Sequence, residues 1–348
     1  MKIVLLGLLL TAFIISCKQP VPSSSSAYVI GRGQMPNLVK AKNNTLHLVY
    51  GSGDSVLYAS SADNGASFSK PALVAEMPGL YDFAMRGPQI ACTNTGVTII
   101  AANQKGDIYS FQKDASGNWA KSARVNDVDT IAKEGLMALG GDGNTLFAVW
   151  LDLRGDRHNK IFGASSIDGG KTWGANIVVN ANRVCECCKP SVVVRGSAFF
   201  VMFRNLVDGN RDLYVIKSAD AGKTFAAAEK MGTGNWHLDG CPMDGGGIAI
   251  DANNTPQTVW RRQDTIFACA AGKAEAYLGK GRSCTVESIN SKNIYAWNEK
   301  GDIICLLPGG KKQNLGKGMI PVIKSINDGQ AICVWEDDKQ IHSAIIVL

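Results

Sequence analysis

Four cysteines in the middle of the chain have the side-chain type and spacing for thiol chemistry. Three of them occur together as Cys185-Glu186-Cys187-Cys188, and Cys241 stands in a later loop-like segment. Cysteine thiolates hold soft metal ions such as copper or zinc, form structural disulfides, or exchange disulfides as redox thiols. An extracytoplasmic location favours a disulfide, for example between Cys241 and one member of the first group, and the two other uses stay open. Side chains near Cys241 that could add metal ligands are His237, Met243 and Asp244.

One eight-residue turn pattern occurs three times and predicts the elements that position these cysteines. It reads Ser-x-Asp-x-Gly-x-Ser/Thr-aromatic, with its aspartate at Asp63, Asp168 and Asp220. The carboxylate can accept backbone hydrogen bonds, the glycine supplies a positive φ, and the aromatic ring packs beneath the turn. Apolar runs of β-like composition flank each copy. A repeat of this kind predicts a series of similar β-sheets, the blades of a propeller.

This turn resembles the Asp-box, also called the BNR repeat, of the sialidase (neuraminidase) superfamily. The resemblance covers most of the chain, because the stretches between the turns also repeat, as at 146–150 and 199–204. It implies an all-β propeller built from four-stranded antiparallel blades. Asp-boxes also occur in propellers of unrelated activity, so they indicate the fold and leave the reaction open.

The spacing of the repeats predicts seven blades, with six as the alternative because sialidases usually have six. The expected starts of the inner strands lie near Met35, Gly87, Gly135, Lys189, Pro242, Thr285 and Ile320. The last repeat has only three clear strands. We therefore expect residues 27–30 to supply its fourth strand and to close the ring, which removes a free sheet edge. The propeller domain is predicted to span 27–348.

In a propeller, the loops that enter each inner strand and the loops that leave each second strand share one face, which we call the mouth. Arginines and carboxylates are frequent in these segments. Guanidinium groups bind anions through paired hydrogen bonds, so an anionic ligand is expected at the mouth. The alternative is a ring of ion pairs between blades. The predicted ligand-binding residues are Arg86, Arg154, Arg204, Arg261 and Arg262.

The resemblance to sialidases also implies a catalytic set. These enzymes use an arginine triad, a tyrosine nucleophile assisted by a glutamate, and an aspartate acid/base, and the tyrosine is unusual among glycosidases. The candidates for the triad are Arg86, Arg204 and Arg261. The candidates for the catalytic groups are Tyr81, Glu134 and Asp152, with Tyr295 as an alternative nucleophile.

Composition restricts the class of protein. The chain has 348 residues, of which 45% are hydrophobic and 19% charged, as expected for one turn-rich globular domain rather than a disordered or coiled-coil protein. The net charge of +6 is scattered, without a block or stripe of Lys and Arg. This distribution argues against a nucleic-acid partner. We expect a monomer.

The first residues predict an address outside the cytoplasm. Lys2 precedes an apolar run at 3–15, and Ser16-Cys17 ends it in a way that resembles a bacterial lipobox. This pattern implies a signal peptide at 1–16, cleavage before Cys17, and lipid attachment to that residue. A Ser/Pro-rich tether then spans 17–26. The expected location is the bacterial cell envelope, as a periplasmic or outer-membrane lipoprotein whose lipid is its only membrane contact. The alternative is an ordinary signal peptide.

Two functions follow from these patterns. The first is a membrane-anchored, sialidase-like propeller that binds or hydrolyses an acidic or sialylated glycan at its arginine-rich mouth. The alternative is a non-catalytic propeller that acts as a scaffold or holds copper or zinc at the cysteine cluster. No cofactor is required by the first function.

The lipid anchor is directly testable. Replacing Cys17 by Ser should abolish incorporation of radiolabelled fatty acid and release the protein from the membrane fraction, because a thiol is needed for the attachment. Cys92→Ser, a cysteine of the propeller domain, is the matched control and should be labelled like the wild type. Equal labelling of the Cys17→Ser protein would contradict the anchor.

Overall fold

The computed structural model describes residues 27–270 and 272–348, and in these residues every regular element is a β-strand. The predicted signal peptide, Cys17 and the tether lie outside the described residues. Within the described part of the chain, no helix is long and apolar enough to cross a membrane.

The strands follow one another in groups of four. The chain begins with β1 (Tyr28–Arg32), followed by blade 1 with β2 (Gln34–Lys40), β3 (Leu46–Ser52), β4 (Ser55–Ser61) and β5 (Ala72–Glu76). Blade 2 contains β6 (Gln89–Cys92), β7 (Val97–Ala102), β8 (Ile108–Lys113) and β9 (Trp119–Arg124). Blade 3 contains β10 (Met137–Asp142), β11 (Thr145–Asp152), β12 (Lys160–Ser166) and β13 (Ile177–Asn180). Blade 4 contains β14 (Ser191–Arg195), β15 (Ala198–Arg204), β16 (Leu213–Ser218) and β17 (Glu229–Lys230).

The remaining three blades continue this order. Blade 5 contains β18 (Gly247–Ile250), β19 (Pro256–Arg262), β20 (Thr265–Ala270) and β21 (Ala276–Lys280). Blade 6 contains β22 (Arg282–Ile289), β23 (Lys292–Glu299), β24 (Asp302–Leu306) and β25 (Lys312–Lys317). Blade 7 contains β26 (Met319–Asn327), β27 (Gln330–Asp337) and β28 (Gln340–Val347).

The seven antiparallel sheets confirm a β-propeller with seven blades. Blade 7 takes its fourth strand from the start of the domain, because β1 pairs with β28 in the order β1-β28-β27-β26. The register runs from Tyr28 opposite Ser343 to Arg32 opposite Gln340. The predicted closing strand is therefore present, and the ring joins the two ends of the domain.

Apolar side chains hold neighbouring blades together. Each of seven buried clusters spans one pair of adjacent blades; Val149 of blade 3, for example, packs in a cluster with Val201 of blade 4. The cluster that closes the ring joins Leu38 of blade 1 to Ile332 of blade 7. The sheets are apolar on both faces, so they are stable only when stacked around the ring.

The three repeated turns share one hydrogen-bond pattern. Asp168 accepts hydrogen bonds from the backbone N–H of Thr172 at 3.0 Å and from its hydroxyl at 2.6 Å. Ser166 donates to the same carboxylate and accepts a bond from Gly170 N–H. Despite partial burial, these hydrogen bonds lower the pKa of Asp168 to about 2. Each turn connects the third and fourth strands of its blade, so it lies on the face opposite the mouth.

The turn should contribute to stability without affecting the mouth. Asp168→Ala removes the acceptor for several turn donors, so the free energy of unfolding in urea should fall by about 1 kcal/mol, a usual value for cap and turn hydrogen bonds. Asp328→Ala, which changes an exposed aspartate in another turn, should leave stability unchanged. An Asp168→Ala protein of wild-type stability would show that the turn is dispensable.

Candidate functional site at the cysteine cluster

The loops at the mouth that enter the seven inner strands differ greatly in length. Blades 2 to 5 are entered through long loops at 77–88, 125–136, 181–190 and 231–246. Blades 6, 7 and 1 are each entered through a single glycine: Gly281, Gly318 and Gly33. A Cβ at Gly281 would lie 2.2 Å from the carbonyl oxygen of Asn298, and one at Gly318 would lie 2.3 Å from the ring of Trp335. These tight junctions confine the long loops to one half of the mouth.

Four sulfur atoms meet between the loops at 181–190 and 231–246. A disulfide joins Cys187 to Cys241. The Cys185 sulfur lies 3.7 Å from the Cys187 sulfur and 3.6 Å from the Cys188 sulfur. The sulfurs of Cys185, Cys187 and Cys188 all lie within 4.8 Å of one another. The cluster therefore contains a disulfide between Cys241 and one member of the first group, as the sequence suggested. Beside it lie two free thiols, Cys185 and Cys188.

The sulfurs differ in their access to solvent. Cys185 and Cys188 are each only 1% exposed. Cys241 is exposed and Cys187 is half-buried. Cys241 is therefore the exposed residue of the disulfide, whereas both residues that carry the free thiols are buried.

Positive groups surround the buried thiols. Arg211 donates a hydrogen bond from its Nη1 to the sulfur of Cys185 at 3.2 Å, and its Nε donates to the carbonyl of Leu238. Hydrogen bonds with Cys188 and with Arg211 lower the pKa of Cys185 below its ordinary value. Burial raises the pKa of Cys188 well above its ordinary value. The two shifts are opposite, so a thiolate is more favourable at Cys185 than at Cys188.

The loop that carries Cys241 is anchored by two arginines, Arg204 and Arg261. The guanidinium of Arg204, which is 1% exposed, donates to the carbonyls of Asp244, Arg211 and Arg261. Arg261 donates from Nη2 to the carbonyl of Pro242 at 2.7 Å and lies 3.3 Å from the carboxylate of Asp244. Both guanidinium groups also lie over the ring of Trp236. In this arrangement Arg204 and Arg261 position the loop beside the cysteines.

Two other predicted ligand-binding arginines are paired with carboxylates. Arg154 makes a two-point contact with Asp152, a fully buried residue, and Trp150 donates to the same carboxylate. Arg262 makes a two-point contact with Glu275. Each pair lies within a single blade, blade 3 for Arg154 and blade 5 for Arg262, so neither is an ion pair between blades. The catalytic role of Asp152 and the ligand-binding roles of Arg154 and Arg262 remain predictions.

A second group at the mouth brings together three predicted residues. Arg86 donates to the backbone carbonyl of Glu134 at 2.5 Å and lies 3.2 Å from its carboxylate. The guanidinium of Arg86 is also 5.8 Å from the ring of Tyr81, whose hydroxyl donates to the carbonyl of Lys133. Burial raises the pKa of Tyr81. This group lies in the loops entering blades 2 and 3, whereas Arg204 and Arg261 end the second strands of blades 4 and 5.

Three residues at the site were not among the predicted ligand-binding or catalytic residues. Arg211 contacts the Cys185 sulfur, and Trp236 lies under two guanidinium groups. Lys189 follows the cysteine motif and donates to Gln89 on the inner strand of blade 2 at 2.9 Å. Burial lowers the pKa of Lys189 to about 8. The sequence contained one indication that Arg211 belongs to the site. Arg211 lies in the loop between the second and third strands of blade 4, and that loop is on the same face as the cysteine motif.

The carboxylate of Asp244, another candidate metal ligand, is engaged with other groups. The carboxylate of Asp244 contacts Arg261 and accepts a hydrogen bond from Ser283 N–H at 2.9 Å. Met243 is 37% exposed. Within residues 27–270 and 272–348, the only group of three close metal-ligating residues is that of Cys185, Cys187 and Cys188.

Comparison with solved structures shows a shared fold. A protein of unknown function from Dyadobacter fermentans matches with 12% identity and a TM-score of 0.54, covering 94% of this chain and 99% of its own. A family PL25 ulvan lyase, bound to a GlcA-(1-4)-Rha3S oligosaccharide, matches with 11% identity and a TM-score of 0.56, covering 94% and 96%. The NanB sialidase of Streptococcus pneumoniae matches with 12% identity and a TM-score of 0.49, covering 94% and 71%.

These likenesses extend to the propeller and no further, because the identities are low. No protein-family model and no curated protein matches the sequence. The side chains at the mouth therefore carry the information on function.

Proposed function

We propose that this protein is a cell-envelope lipoprotein whose propeller binds a soft metal ion, copper(I) or zinc, at the cysteine cluster. The observation that carries the proposal is the convergence of four sulfurs from two entry loops, three of them mutually within 4.8 Å and the fourth bonded to Cys187. The lipid anchor at Cys17 holds this site outside the cytoplasm.

The sulfur spacing suits a tetrahedral metal ion. With metal–sulfur bonds of about 2.3 Å, the sulfurs of a tetrahedral site lie about 3.8 Å apart. Cys185 is 3.7 Å from Cys187 and 3.6 Å from Cys188 in sulfur–sulfur distance. Thiolates also select copper(I) and zinc over hard cations such as magnesium. Little movement of these three side chains would be needed to bind the ion.

Binding by all four cysteines requires reduction of the Cys187–Cys241 disulfide, because a sulfur in a disulfide is not a thiolate ligand. Four thiolates and one zinc ion carry a net charge of −2. Arg211 hydrogen-bonds to Cys185, and Arg204 is buried nearby and interacts electrostatically with both Cys185 and Cys188. These guanidinium groups offset the excess negative charge that burial would otherwise make costly.

Metal titration of the reduced protein tests this function. Anaerobic protein reduced with a phosphine should bind one zinc or copper(I) ion per chain, and at 100 times the dissociation constant the ion should stabilise the fold by about 2.7 kcal/mol. Cys188→Ser should weaken binding at least tenfold, whereas Cys92→Ser, on blade 2, should not. Absence of binding by reduced wild type, or wild-type affinity after Cys188→Ser, would refute the metal site.

A second candidate function is binding of an acidic glycan, and the group of Tyr81, Arg86 and Glu134 favours it. This group combines a guanidinium, a phenol and a carboxylate in loops at the mouth, as the resemblance to sialidases implies. The Arg86 side chain is 12% exposed and the Glu134 side chain 31%, so an acidic ligand could compete with Glu134 for Arg86. The ulvan lyase provides a precedent for an acidic sugar bound to a propeller.

A binding screen with sialyllactose and an oligosaccharide containing glucuronic acid tests the glycan function, together with an assay for sialoside hydrolysis. Arg86→Ala should weaken binding at least tenfold, since a charge-assisted hydrogen bond contributes about 1.5–3 kcal/mol. The control is Arg124→Ala, which changes an arginine on the fourth strand of blade 2 and should bind normally. No binding of either sugar by the wild type would exclude this function.

A further inference from the structure

The four cysteines form two pairs at different depths, and the pairs touch. The outer pair is the Cys187–Cys241 disulfide, with Cys241 exposed to solvent. The inner pair consists of the thiols Cys185 and Cys188, both buried, with their sulfurs 3.6 Å apart. One atom connects the pairs, because the Cys185 sulfur lies close to Cys188 on one side and to Cys187 on the other.

We propose that these cysteines are a disulfide relay, which passes oxidising equivalents from the exposed pair to the buried pair through Cys185. This activity goes beyond metal binding and requires no metal ion. It uses only sulfurs that are already in contact.

The relay consists of two thiol–disulfide exchanges. In the first, the Cys185 thiolate attacks the Cys187 sulfur; the Cys185–Cys187 bond forms, the Cys187–Cys241 bond breaks, and Cys241 leaves as a thiolate. In the second, Cys188 loses its proton as its sulfur attacks the Cys185 sulfur; a Cys185–Cys188 bond forms, and Cys187 leaves as a thiolate. The two protons lost by Cys185 and Cys188 are taken up by Cys241 and Cys187. Two electrons have then moved from the inner to the outer pair.

The surroundings of Cys185 favour its role as the attacking group. Arg211 donates a hydrogen bond to its sulfur at 3.2 Å, which stabilises a thiolate, the nucleophilic form of cysteine. The backbone N–H of Asp244 donates to the Cys188 sulfur at 3.4 Å. Both thiols are therefore oriented by contacts to fixed groups of the two loops.

The outer pair gives the relay access to an external reactant. After the transfer, Cys187 and Cys241 are thiols, and Cys241 is the exposed one. Its thiolate can attack an external disulfide, RSSR, to form a mixed disulfide and RSH, and Cys187 then releases the second RSH and restores the Cys187–Cys241 bond. The chain would then hold two disulfides, with glutathione disulfide as the simplest probe of this step.

Trapping of Cys241 tests the relay on the full chain. Protein with one disulfide is incubated with a chelator and excess maleimide, quenched in acid and mapped by mass spectrometry. In the wild type, maleimide should accumulate on Cys241 and also on Cys187, and the remaining disulfide should join Cys185 to Cys188. Cys188→Ser should stop at the first exchange and show a Cys185–Cys187 bond with Cys241 labelled. Cys92→Ser should behave like the wild type.

Cys185→Ser should label Cys241 at least tenfold more slowly, because the attacking sulfur is absent. If that variant fails to fold, the disulfide map of the wild type still decides. A wild-type protein that keeps the Cys187–Cys241 bond and an unlabelled Cys241 would overturn the relay, as would unchanged labelling in a folded Cys185→Ser protein. The chelator makes this result independent of the metal site. The exchange can proceed in a protein that binds no metal ion, and a protein that binds the metal ion can lack the exchange.

Discussion

Every other feature of this protein depends on the apolar contact between neighbouring blades. Each four-stranded sheet presents apolar side chains on both faces, so it needs a neighbour on either side to remove them from water. Seven such contacts close a ring. The contact between blades 7 and 1 is completed by the pairing of β1 with β28, which joins the start of the domain to its end. A break anywhere in this ring would expose two apolar faces.

Because the inner strands are held by this packing, the loops at the mouth are free to differ in length. Three junctions are single glycines, and four are long loops gathered on one half of the mouth. The long loops are fixed by charged groups whose hydrogen bonds are directed inward. Arg204 illustrates this use, since its guanidinium donates to three backbone carbonyls in a place where water is excluded. An arginine in that role makes the loop around Cys241 rigid. The loop is thereby held in a fixed position beside the cysteine motif.

That rigidity explains why the cysteine cluster can support more than one chemistry. Cys185 lies within 3.7 Å of two other sulfurs because all three cysteines belong to one loop, and the Cys187–Cys241 disulfide joins that loop to the next one. The same spacing suits a metal ion when the sulfurs are reduced and disulfide exchange when they are oxidised. The redox state would then decide which sulfurs are available, since a disulfide between any two of them removes both as ligands.

The sequence by itself determined the fold, because the fold follows from short-range patterns. The turn around Asp168 closes on residues four positions away, and the apolar runs mark strands through their own composition. The count of these repeats correctly predicted seven blades, and the missing strand of the last repeat correctly predicted the role of residues near Tyr28.

Only the tertiary structure decided what the polar residues at the mouth contact. An arginine at the end of a second strand has the same local sequence signal whether it faces solvent or three carbonyls, so the burial of Arg204 could not be read from the chain. Likewise, any of three neighbouring cysteines could have paired with Cys241. The choice of Cys187 depends on how loops from two different blades approach each other, and that distance is set by the packing of the whole ring.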